Sequence, residues 1–203
     1  MIPVVADADT LFGATTRGFL IHLDYRGLIR LHWSPLILDE LSRALVETGR
    51  KPNVDSARRH EHLMQEALPH AEVPTLEVQA QFASVSAAMR SAKDVHVAAC
   101  ARAVVMGDYY PRTQVVSLAT RNLRDFSVRK LAALGIEVRH PDLFLLERFK
   151  SEPVAVASAF AAFRATLRSG PAPERLLERL VADGQMQIAF ALSAAWQQGE
   201  VSL

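Results

Sequence analysis

From Met1 to Phe149 the chain alternates short apolar blocks with amphipathic stretches. Ile2-Pro3-Val4-Val5-Ala6 is a continuous apolar run that ends in Asp7-Ala8-Asp9. Such a run fills a parallel strand covered on both faces. Thr15 to Tyr25 reads as a helix capped by Thr15 or Thr16, with Phe19, Leu20 and Leu23 as its core stripe and Gly27 as its stop. Leu28 to Trp33 is short and extended. Ser34-Pro35 is an N-cap followed by proline at the first helical position. It opens a helix to about Thr48 that buries Leu36, Ile37, Leu41 and Leu45.

Val54 to Ala67 is a polar helix rich in Arg and His, and Pro69 to Pro74 a loop with a brief strand near Val73. Thr75 to Arg90 reads as a helix of small residues. Lys93-Asp94 opens a helix from Val95 to Met106, whose Val97, Ala98, Ala99, Cys100, Ala103 and Val104 are small enough for close packing on a sheet. Gln114 to Ala119 is a strand that runs into the polar loop Thr120 to Phe126. Val128 to Leu134 is a helix closed by Gly135, Ile136 to Val138 a last strand, and Pro141-Asp142 starts the helix Leu143 to Phe149. This order predicts an α/β fold with a parallel sheet and right-handed crossovers. After Ser151 the pattern changes to three consecutive helices, Val154–Leu167, Pro173–Ala182 and Met186–Gln197, whose Phe160, Phe163, Leu176, Leu180, Ile188, Leu192 and Trp196 are core. Two parts are expected: an α/β domain over 1–150 and a helical extension over 151–203.

Composition narrows the setting. Among 203 residues, 22% are charged and the formal net charge is +1, so the chain folds without a global electrostatic preference for nucleic acid. A local basic groove is compatible with that balance. One cysteine, Cys100, cannot form an internal disulfide, which suits a reducing cytoplasm. No signal peptide and no membrane span are expected, because Asp, Arg, His or Glu interrupts every apolar stretch.

Chemistry concentrates where elements end. In open α/β sheets, ligands occupy the crevice beyond the carboxyl ends of the strands. Asp7 follows the first strand, Glu40 sits early in a helix, Asp94 starts another, and Asn122 with Asp125 follows a later strand. Gathered carboxylates without Lys or Arg partners repel one another unless a hard divalent cation neutralises them. Such a cation acidifies water and stabilises charge on a phosphoryl oxygen. Zinc is disfavoured: Cys100 is alone, and His60 and His62 stand two apart on different sides of a helix. Singly, each acid also has a structural role open to it: Asp7 as helix cap, Glu40 as a solvated helix residue, Asn122 and Asp125 as turn formers, while Asp94 is expected to be both helix cap and site residue. His96 reads as a structural hydrogen-bonder. Arg17, Arg121 and Arg124 are candidates for phosphate contact.

Four segments resemble the motifs of PIN-domain nucleases. They are Val4-Val5-Ala6-Asp7-Ala8-Asp9-Thr10-Leu11, Ser34-Pro35-Leu36-Ile37-Leu38-Asp39-Glu40-Leu41, Asp94-Val95-His96-Val97-Ala98-Ala99-Cys100-Ala101 and Thr120-Arg121-Asn122-Leu123-Arg124-Asp125-Phe126. Pro141-Asp142-Leu143-Phe144-Leu145-Leu146 is similar to the tail of one bacterial branch, and the resemblance covers about Met1 to Phe149. It implies a three-layer α/β/α fold and cleavage of single-stranded RNA with Mg²⁺ or Mn²⁺. It also implies a toxin role of the VapC kind with a cognate antitoxin, and a homodimer. It assigns Asp7, Glu40 and Asp94 to the metal and gives Thr120 the task of orienting an acid; Asp125, three residues beyond Asn122, is the candidate to substitute as a further ligand where the fourth acid is missing. Two positions depart from the pattern: Asn122 stands where an Asp is common, and Asp9 where an Asn is common. Asp9 then holds a water or caps the next helix.

Two other functions compete. Asp7-Ala8-Asp9 after a strand also begins the motif of haloacid-dehalogenase-like phosphatases, with a nucleophilic first Asp. That motif wants Thr or Val where Leu11 stands, and Gly107-Asp108 lacks the second late acid. The third reading is a catalytically degenerate PIN fold that only binds, for which Asn122 is the best support.

Overall fold

A computed structural model describes residues 1–107, 109–110 and 115–203. Four strands, β1 (Ile2–Ala6), β2 (Ile29–His32), β3 (Val116–Ala119) and β4 (Ile136–Arg139), form one sheet in the order β2-β1-β3-β4. β1 runs parallel to β3, with Ala6 opposite Ala119, and β3 runs parallel to β4, with Ala119 opposite Arg139. The fold is α/β with a central parallel sheet, as the block pattern predicts. Val4, Val5, Ala6, Leu118 and Ala119 are wholly buried, so these strands carry no solvent face. Gln114, expected in the third strand, lies outside the described residues, as does Asp108.

The described residues form two compact groups. One holds Ile2–Phe12 and Arg30–Arg139; the other holds Met1, Gly13–Ile29 and His140–Leu203. The sheet group contains α1 (Ala8–Phe12), α3 (Pro35–Glu47), α4 (Val54–Ala67), α5 (Thr75–Ala80), α6 (Phe82–Ser86), α7 (Val95–Met106) and α8 (Val128–Ala132). The small residues of α7 let it lie against β1, β3 and β4, with Val97, Ala98, Ala99, Cys100 and Ala101 buried. Ser34 caps α3 as expected, its hydroxyl accepting the Ile37 N–H, while Leu36 is only half-buried. The expected strand near Val73 is a single bridge between Trp33 and Glu72.

The stretch 75–90 is not one helix. It breaks at Gln81 into α5 and α6. Ser84 and Ser86 explain part of this: their hydroxyls donate to the carbonyls of Gln81 and Phe82 at 2.7 and 2.6 Å. Such local bonds compete with the helical ladder.

The helical group contains α2 (Ala14–Tyr25), α9 (Pro141–Ser151), α10 (Pro153–Thr166), α11 (Pro173–Ala182) and α12 (Met186–Gln197). The three C-terminal helices cluster with α2 and α9. Neither Thr15 nor Thr16 caps α2. The N-cap position is Gly13, and the carboxylate of Asp183 accepts the N–H groups of Thr15 and Thr16 at 2.8 and 2.9 Å. Asp142 does the same for α12, accepting from Gln187 and Ile188. α2 and α10 approach closely at Gly18, where an added Cβ would lie 2.2 Å from the Phe163 ring. Phe19 meets Phe160 edge to face with ring centroids 5.1 Å apart. Among the described residues no helix is long and apolar enough to cross a membrane.

Candidate functional site

The strand order locates the crevice. β2 lies on one side of β1 and β3 on the other, so the direction of sheet growth reverses between β1 and β3. Beyond the carboxyl ends of two such strands, the connections diverge and leave a cleft. Asp7 and Thr120 are the residues that follow β1 and β3 there.

Asp7 is only 7% exposed. Its Oδ1 accepts the Thr10 N–H at 2.7 Å, so it does cap α1, and its own N–H donates to the Ala119 carbonyl at 3.2 Å. The fully buried Thr120 side chain hydrogen-bonds the same carboxyl. Burial nonetheless dominates, pushing the carboxyl from near 3.8 up to about 6 against these bonds, with a small push from Asp9. A carboxylate here therefore lacks enough favourable partners in the protein itself. Asp9 is exposed on α1, 3.8 Å from the Arg121 guanidinium. At that distance, with the Asp9 carboxylate in solvent, the pair contributes little to stability.

Glu40 sits in the second turn of α3, half-buried, with Oε2 3.1 Å from His96 Nε2. His96 Nδ1 is 2.9 Å from the Lys93 carbonyl. Both ring nitrogens of His96 thus face acceptors, and both contacts are hydrogen bonds only when both carry protons. The bond from His96 holds the Glu40 carboxyl below its ordinary range, outweighing the opposing effect of burial.

Asp94 occupies the N-cap position of α7, but its side chain caps nothing. Its backbone carbonyl accepts from Val97 and Ala98, while its carboxylate accepts from the Asn122 amide at 3.2 Å. The expectation that Asp94 also serves as a cap is corrected here: the cap geometry is given up and the carboxylate is left for the cleft. Burial raises its pKa, and the hydrogen bond and repulsion from Asp125, then repulsion from Glu40, raise it further.

Asn122 joins the parts. Its backbone N–H donates to the Thr120 hydroxyl at 3.0 Å, and its side-chain amide donates to both Asp94 and Asp125. Asp125 closes one turn of 3-10 helix over Leu123–Asp125. That turn is pinned from outside: the Asp125 carbonyl accepts the Arg90 N–H, and the Ala88 carbonyl accepts the Ser127 N–H, each at 2.8 Å. The segment around Ala88, unremarkable in sequence, thus places Asp125.

The sheet group therefore brings together Asp7 with Thr120, and Glu40 with Asp94, Asn122 and Asp125, the two sets linked through the Thr120–Asn122 bond. Arg121 reaches Asp9, and Arg124 is exposed on the 3-10 turn. Arg17 is half-buried in α2, in the helical group. Thr10 is a contributor that sequence reasoning missed; its signal was its place three residues after Asp7, where a cap bonds.

The donor set is carboxylate and amide oxygen, which matches a hard cation such as Mg²⁺ or Mn²⁺ and not zinc. Among the described residues, no three His, Cys, Asp or Glu side chains close around one point. They stand instead as pairs. Mg²⁺ keeps several waters and needs only one or two carboxylates, so pairs of this kind satisfy its chemistry. A separate groove of about 490 Å³, lined by Pro35, Ser42, Val46, Val54, Ala57 and others, includes none of the acids just named. No family model matches this chain, and no curated protein or solved structure matches it either.

Proposed function

We propose that this chain is a metal-dependent ribonuclease of the PIN type that cuts single-stranded RNA. The observation that carries the reading is the Asp94–Asn122–Asp125 bridge beside Glu40. It gathers Asp94, Asp125 and Glu40, whose mutual repulsion adds to burial in raising the Asp94 pKa, at the end of a strand pair where α/β folds bind ligands. A bound Mg²⁺ or Mn²⁺ would relieve that repulsion, acidify an attacking water and offset charge on a phosphoryl oxygen. Asp7, Glu40 and Asp94 would hold it directly or through its own waters, as pairs and not as one closed cage, with Asp125 beside Asp94.

The chain's residues have distinct tasks in this reading. Thr10 and Thr120 fix the Asp7 carboxyl. His96 fixes Glu40, and the Asn122 amide keeps Asp94 and Asp125 together while adding no charge. Water attacks phosphorus in line, its proton passes to the departing 3′-oxygen, and the products are a 5′-phosphate and a 3′-hydroxyl. A toxin role follows from the same reading. A cognate antitoxin would block the cleft by placing an Arg or Lys among these acids.

The test is cleavage of an end-labelled single-stranded RNA in Mn²⁺. Asp94→Asn is expected to lose more than the roughly 10–100-fold that outer partners of a metal contribute. Equal rates for wild type and Asp94→Asn would refute the assignment. Glu40→Gln separates the phosphatase reading, because a phosphatase using Asp7 as nucleophile would keep its activity. A degenerate binding module is favoured by one fact, the amide at position 122. It predicts no Mn²⁺-dependent rise in thermal stability.

A further inference from the structure

Glu40 lines two clefts. One, of about 310 Å³, lies towards Ala8, Asp9 and Phe12. The other, of about 540 Å³, is bounded by Leu36, Asp39, Arg43, Phe82, Lys93 and His96. The second cleft has the chemistry of a nucleotide pocket. Phe82, at the start of α6, is half-exposed in it, although a side chain this apolar is ordinarily covered. Lys93 is exposed, and its ammonium makes no ion pair among the described residues. Arg43 is exposed, pairs with Asp39 one turn earlier in α3 and lies near enough to Glu40 to lower its pKa, and the exposed pair with Asp39 is one that a phosphate could displace. An aromatic face with two exposed cations beside it is the combination by which proteins hold single-stranded nucleic acid. A cleft that shares Glu40 with the acid cluster puts that combination one step from the proposed cutting position.

We propose that this cleft is a nucleotide subsite for single-stranded RNA: one base stacks on Phe82, and the phosphate next to the cut rests on Lys93 and Arg43. The subsite rests on the nuclease reading above. The strand then runs from the Phe82 cleft past Glu40 towards Asp9 and Phe12. The break between α5 and α6 acquires a purpose, since it sets Phe82 at the start of its own helix.

Binding of a fluorescein-labelled single-stranded RNA of about ten nucleotides, read by anisotropy in Ca²⁺, tests this alongside Mn²⁺ cleavage of the same oligonucleotide. Phe82→Leu is expected to weaken binding by about tenfold, in the range of one lost base stack, and Phe82→Tyr to restore it. Lys93→Ala is expected to lower the slope of log affinity against log salt by about 0.7, one phosphate contact to a single strand, and Lys93→Arg to restore it. Thermal unfolding of each variant identifies any that fail to fold, and the Tyr and Arg variants then decide: Phe82→Tyr or Lys93→Arg binding far more weakly than wild type overturns the subsite. If wild type cleaves the RNA while Phe82→Leu and Lys93→Ala bind it unchanged, the subsite is wrong and the nuclease stands. If wild type neither binds nor cleaves RNA, both fall.

Discussion

Removing the charge of Asp7 should stabilise the protein while destroying its proposed activity. The carboxyl is 7% exposed and is held at about 6, against an ordinary value near 3.8. A difference of that size corresponds to about 3 kcal/mol between the protonated and ionised forms in the folded state. The sign follows from proton binding. Folded Asp7 holds its proton more tightly than the unfolded chain does, so its contribution is most favourable below about pH 4. That contribution is lost as pH rises through about 6, and above that the cost stays constant. Asn at this position keeps an oxygen for the Thr10 N–H and has no charge to bury. Asp7→Asn is therefore expected to be about 1–3 kcal/mol more stable than wild type at pH 8 in EDTA, and to match it within about 1 kcal/mol at pH 4.5. Urea unfolding of the two proteins at both pH values measures this, with the difference cancelling every other titrating group. Adding Mn²⁺ at about one hundred times its dissociation constant should return about 2.7 kcal/mol to wild type alone. A variant less stable than wild type at pH 8, or a difference that ignores pH, would refute the reasoning. The bonds from Thr10 and Thr120 would then outweigh the burial of charge.

Further expectations concern packing and the bridge. Gly18→Ala should destabilise the protein by about 1–2 kcal/mol, since overpacking against Phe163 outweighs the helix-propensity gain. Phe163→Leu should recover part of that loss in the double variant, and a stabilised Gly18→Ala, read by thermal unfolding, would refute the close approach of α2 and α10. Asn122→Asp replaces the shared amide donor by a third carboxylate beside Asp94 and Asp125. It should lower stability without cation and enlarge the Mn²⁺-induced shift in melting temperature; an unchanged shift would remove position 122 from the cation site.

Local patterns determined a good deal by themselves. The apolar run Ile2–Ala6, the Ser34-Pro35 start of α3, the small-residue face of α7 and the three C-terminal helices were legible because each records its own burial and period within a dozen residues. The acids stood out because each falls at an element's end. What the tertiary structure alone decided involves groups far apart in the chain. The order β2-β1-β3-β4 puts Asp7 beside Thr120, and no periodicity in either strand encodes that pairing. Asp183, 168 residues from Thr15, took the capping role that the adjacent threonines were expected to fill, because a cap needs only an acceptor at the right point in space. Asp94 followed the opposite course. Its position reads as a cap, but the Asn122 amide and the Asp125 carboxyl compete for its side chain, and the sequence carries no signal for which would win.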